Sequence, residues 1–218
     1  MLHPQVVHPA GHIVFYVLFG LLAFIAFVRF FYPYAFRSVF SSFVQTSSFR
    51  PADNAAKSGL VVQLFLIFNF FISVTLLALT ELVRLHIFSA DVYHLPELWG
   101  TTMGVVILFY LFNQFFTFLV GFIFNTSNQA RQQMKNTALW AYITGIFLTP
   151  LLLIYFYTNS ILVSDFMVII LAVLILFKWF QTIRIGLTTR NYHLLHLFLY
   201  LCAVEIAPLF LLVKMGIR

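Results

Sequence analysis

Charge is what this chain has least of. Of its 218 residues, 12 are Lys or Arg and 6 are Asp or Glu, 8% in all, where a soluble domain carries roughly a quarter. So few charges cannot clothe a globule in water, which excludes a soluble fold and any sizeable soluble domain. Cysteine is equally sparse. Cys202 stands alone in an apolar run, so neither an intramolecular disulfide nor a thiolate metal cluster can form. The basic residues are scattered singly, without the basic stripe interleaved with aromatics that grips nucleic acid. No G-x-S-x-G elbow, glycine-rich phosphate loop, paired-aspartate motif or protease-like Ser/His pair occurs, so the chain reads as non-catalytic. The first eleven residues hold no Lys or Arg, and no small-x-small cleavage site follows. No removable signal peptide is expected.

What the chain has instead is apolar mass. Hydrophobic residues make up 62%, 29 of them Phe, and the mean hydropathy is +1.00. Six apolar segments emerge, over residues 12–31, 60–84, 102–124, 138–157, 161–180 and 193–214. Each meets the requirement of about 20 residues for a helix crossing the hydrocarbon. Helices are the expected form because unpaired backbone groups are prohibitive in lipid and the runs far exceed a barrel strand. The composition never breaks, so residues 1–218 read as one integral membrane domain: an all-α, polytopic bundle of six spans.

The few charges orient it. Arg29, Arg37, Arg50 and Lys57 follow the first span, Arg131 and Lys135 lie between the third and fourth, and Lys178, Arg184 and Arg190 surround the fifth loop. The opposite side has only Arg84, Lys214 and Arg218. The excess places the first, third and fifth loops in the cytoplasm and both termini outside. Such a chain belongs in the bacterial inner membrane, with the bilayer, other membrane subunits or further copies of itself as partners. Within the first loop Phe36, Val39, Phe40, Phe43 and Val44 recur at helical spacing, with Arg37, Ser38, Ser41, Ser42 and Gln45 opposite. This predicts a short amphipathic helix along the membrane surface. It could sense lipid or dock a partner; resting on the bundle as a connector is the favoured reading.

Polar residues inside a span are costly and so invite a functional reading. Glu205 is the clearest, near the middle of the last span and three residues before Pro208. Pro208 lacks an N–H and frees the Val204 carbonyl. A carboxyl in these surroundings is expected to resist ionisation, either as a structural hydrogen-bond donor or as a proton carrier. Asn69, Asn113, Gln114 and Thr149-Pro150 fall at similar depth. With Glu205 they could form one polar layer contacting solute or serve as interhelical glue, which is favoured. Glu81 and Arg84 at i, i+3 predict an ion pair at the end of the second span. Asp165 is expected to open the fifth helix, where the dipole favours an anion, and Lys178 to close it as an anchor. The histidines offer only weak metal candidates in His8, His12, His86 and His94, on the predicted outer face. With His193 and His196 on a single helix, no haem pair or other cofactor is expected.

The run Tyr200-Leu-Cys-Ala-Val-Glu205-Ile-Ala-Pro208 and the six-span, Phe-rich layout resemble an uncharacterised family of integral inner-membrane proteins of Bacteroidota, a domain of unknown function. The layout covers most of the chain; the specific part is Glu205-x-x-Pro208. The resemblance implies location and architecture, and assigns no reaction, substrate or functional residue. Three functions therefore remain in view. The favoured one is an accessory or structural subunit of a membrane complex; the alternative is a small proton-coupled transporter or channel using Glu205. A histidine-based metal or haem protein is the weakest.

Overall fold

A computed structural model describes residues 10–34, 36, 37, 39, 60–84, 95–123, 127–158 and 160–188. These form five helices, α1 (Ala10–Phe31), α2 (Leu60–Arg84), α3 (Leu95–Ile123), α4 (Ser127–Thr158) and α5 (Ile161–Thr188). All five are long and apolar enough to cross a membrane, with mean hydropathies between 1.8 and 2.4 over their spans. The predicted sixth segment, residues 193–214, lies outside the described residues.

Side chains are distributed inside out relative to a soluble protein. Leu108, Phe115, Phe122, Leu162 and Phe180 are exposed, whereas Asn69, Ser73, Thr75, Asn113, Thr149 and Gln181 are buried. Water would reverse that pattern; hydrocarbon permits it, because lipid tails are as apolar as Leu and only polar groups gain from being hidden. Among the described residues no charged side chain is buried. The helices share the interior unequally. Half of the α4 span and 44% of the α2 span are buried, against 17% for α3 and 11% for α1 and α5.

Several helices are longer than their apolar runs. Helix α3 begins at Leu95 and α4 at Ser127, so Arg131 and Lys135, read above as loop residues, stand exposed on the first turns of α4. Their neighbours Gln129, Gln132, Gln133 and Met134 favour helix intrinsically without being apolar enough to extend a hydropathy run. Helix α5 likewise continues to Thr188. Lys178 therefore lies within it rather than closing it. Asp165 comes after its first turn, where the dipole is weaker.

The chain divides into two compact units, residues Met1–Ser73 with Ala141–Leu171, and Val74–Trp140 with Ala172–Arg218. In the first, Leu18 and Val28 bury one side of α1, and Phe24 meets Phe65 of α2 with ring centroids 4.2 Å apart. Beyond α1 the Tyr32 and Phe36 amides donate to the Val28 and Tyr32 carbonyls at 2.9 and 3.1 Å. Of the predicted surface helix, Phe36 is half-buried and Val39 buried. Phe40, Phe43 and Val44 lie outside the described residues. In the second unit Trp140 of α4 approaches Phe177 of α5, centroids 6.0 Å apart.

Candidate functional site: buried polar seams between the helices

Within the first unit, Val62, Leu66, Asn69 and Ser73 recur on α2 at intervals of four, three and four residues, and all are buried. A helix repeats a face every 3.6 residues, so two polar groups occupy the same stripe as the apolar ones. That stripe meets α4 at Gly145 and Thr149. A Cβ added to Gly145 would stand 2.9 Å from both the Cα and N of Phe70. Only a residue without a side chain admits α2 backbone so closely. Residues 69, 70 and 73 of α2 thus face residues 145 and 149 of α4.

The close approach brings three side chains within bonding distance. The Thr149 hydroxyl is 2.9 Å from Asn69 Oδ1, 2.9 Å from Ser73 Oγ and 2.8 Å from the Gly145 carbonyl oxygen. Ser73 can donate its own proton to Thr149. The single Thr149 proton then has two acceptors, the Asn69 carboxamide and the Gly145 carbonyl one turn back. Asn69 Nδ2 has no partner among the described residues, although Asn69 is 2% exposed. The cluster is therefore strongly joined but has one more acceptor than Thr149 can serve.

The other predicted midplane pair, Asn113 and Gln114, belongs to the second unit and bonds along its own helix. Thr117 donates to the Asn113 backbone carbonyl at 2.8 Å, and Gln114 Nε2 donates to the Tyr110 hydroxyl at 3.1 Å. Asn113 Oδ1 and Gln114 Oε1 find no donor among the described residues. Of the residues expected at one depth with Glu205, Asn69 and Thr149 bond each other, and Asn113 and Gln114 bond within α3.

A second interhelical seam was not anticipated. Between α4 and α5, Trp140 Nε1 donates to Gln181 Oε1 at 2.6 Å, and Gln133 Nε2 donates to Thr182 Oγ1 at 3.2 Å. Between the two donors on α4, Asn136 is 3% exposed, with neither amide atom paired among the described residues. Gln133 and Asn136 precede the predicted fourth span, and Gln181 and Thr182 follow the predicted fifth. Their spacing of three and four residues on a helix extended past its apolar run was the available signal.

Glu81 is partly exposed near the end of α2, while the side chain of its expected partner Arg84 lies outside the described residues. The same holds for Glu205, Pro208, His193, His196 and the candidate ligands His8, His12, His86 and His94. Among the described residues no three His, Cys, Asp or Glu side chains gather as a metal site would require. An open hollow on α5 is lined by Val173, Leu176, Phe177 and Phe180, a surface suited to acyl chains.

Residues 14–215 match the family described as a domain of unknown function, DUF4271, and the chain belongs to that family. No curated protein and no solved structure matches it.

Proposed function

We propose that the chain is a multi-pass protein of the bacterial inner membrane, acting as a non-catalytic accessory or structural subunit of a membrane complex. In this reading residues 1–218 form one membrane domain, residues 193–214 supply a sixth span, and both termini lie outside. The bilayer and other membrane subunits or further copies are its partners, and it needs no cofactor.

The observation that carries this reading is how the polar side chains are used. In the seam between α2 and α4 and in that between α4 and α5, side-chain amides, hydroxyls and an indole bond one another across helices. Such bonds fix helix pairs in lipid. Meanwhile α1, α3 and α5 keep most of their span surface outward, which lipid or neighbouring subunits can cover. The test is purification from native membranes at native abundance in mild detergent, followed by native mass spectrometry. An assembly of fixed stoichiometry, well above the 25.2 kDa of one chain, is expected. A lone 25.2 kDa monomer contradicts the proposal.

The unmet buried amide atoms of Asn113, Gln114 and Asn136 favour one second reading, a proton-coupled transporter or channel in which Glu205 carries the proton. Proton flux in proteoliposomes that Glu205→Gln abolishes, with folding intact, would support it. Equal flux for both proteins removes it.

A further inference from the structure

The polar cluster on α2 is placed against the one position in α4 where that helix is weakened. Pro150 lies inside α4. It has no N–H for the Ile146 carbonyl, and its ring crowds the preceding turn. Sharp bends in helices concentrate at such prolines. Immediately before it, Thr149 bonds back to the Gly145 carbonyl at 2.8 Å, a side-chain contact that further bends helices where it replaces regular backbone pairing.

Packing changes at the same point. Of residues 141–149, six are buried; of residues 151–158, only Leu152 is. The first stretch is held to α2 by the Gly145 approach to Phe70 and by the bonds from Thr149 to Asn69 and Ser73. The second ends in Tyr157 and Thr158, both exposed. A helix clamped on one side of a proline and mostly unburied on the other has the construction of a hinge, in which a few residues absorb the angular change.

We propose that α4 is hinged at Pro150, with residues 141–149 clamped to α2 by Asn69, Ser73, Gly145 and Thr149 while residues 151–158 swing about that clamp. Asn69 and the Gly145 carbonyl compete for the Thr149 proton; when it turns to Gly145 on α4 itself, the bond between Ser73 and Thr149 still joins the two helices. The motion belongs to the end of α4 carrying Ile154 and Tyr157, both outward-facing. It gives a membrane subunit a way to change its shape without breaking a helix pair.

The experiment is pulsed electron-spin distance measurement on the full chain in lipid nanodiscs, with Cys202→Ser as background. One nitroxide pair replaces Leu64 and Tyr157 and reports the distal segment. A second replaces Leu64 and Phe147 and reports the clamped one; all three positions are exposed. The Leu64–Tyr157 distribution should be at least about twice as broad as the Leu64–Phe147 distribution, and Pro150→Ala should narrow it by restoring the helical bond. Thr149→Val should broaden the Leu64–Phe147 distribution. Equal widths for the two pairs in the unaltered helix would overturn the hinge, as would a Leu64–Tyr157 width indifferent to Pro150→Ala. A Leu64–Phe147 distribution unmoved by Thr149→Val would overturn the clamp.

Discussion

Two seams join helices, α2 with α4 and α4 with the next helix α5, and they use opposite materials. Between α2 and α4 the polar groups are short, a Ser, a Thr and an Asn, gathered where Gly145 lets the Phe70 backbone approach. Between α4 and α5 they are long, with a Trp and a Gln reaching Gln181 and Thr182. Short groups bond only if the helices already touch, so in the first seam packing comes first and hydrogen bonding follows. Long groups carry their own reach, and the second seam tolerates changes in spacing. In lipid both strategies are needed, because apolar burial by itself does not favour helix against helix over helix against acyl chain.

The contrast can be broken most severely at Gly145. Gly145→Leu should prevent the α2 contact and yield misassembled protein. Gly145→Ala should lower stability by about 2–3 kcal/mol, since the new methyl meets backbone that cannot turn aside. The midpoint of thermal unfolding in mild detergent would report both. Next comes Thr149→Val, which keeps shape but removes the hydroxyl shared by Asn69 and Ser73. A loss of about 1–2 kcal/mol is expected by the same measurement. In the second seam Trp140→Phe keeps a ring near Phe177 and removes the donor to Gln181. About 1 kcal/mol should be lost, and near-ultraviolet circular dichroism should otherwise be preserved. Gln133→Leu should be mildest, at about 0.5 kcal/mol or less, because its 3.2 Å bond to Thr182 is only partly buried. If Gln133→Leu proved more damaging than Gly145→Ala, the distinction between a sterically set and a reach-set seam would fail.

Much of this architecture was legible in the residues. Five of the predicted apolar segments fall on helices long and apolar enough to cross a membrane, because an apolar run of that length has only one economical form in hydrocarbon. Helix ends were less legible where the chain turns polar without ceasing to be helical, as over Ser127–Asn136 and beyond Phe180. Hydropathy reports the solvent a segment prefers, not its backbone. That blind spot also hid the α4–α5 seam, whose Gln133, Gln181 and Thr182 fall outside the apolar runs. Asn69 and Thr149 stood out as polar residues in lipid-length segments. Their meeting depended on helix rotation and on Gly145, a small residue four positions before Thr149 that composition does not distinguish from any other glycine. Asn113 and Gln114 show the same limit from the other side. Equal depth did not decide their partners, and what they bond is local.

The account stands on lipid being the solvent of the outward faces while the polar groups turn inward. Helix α3 states that claim within three residues, since Asn113 is 5% exposed and Phe115 is 58% exposed. Nitroxide side chains placed singly at Leu111, Phe115 and Phe118 in nanodiscs, on a Cys202→Ser background, can be probed for collision with dissolved oxygen and with a water-soluble nickel chelate. All three should collide readily with oxygen and hardly at all with the chelate. Free access of the chelate to Phe115 would place that face in water and contradict the account.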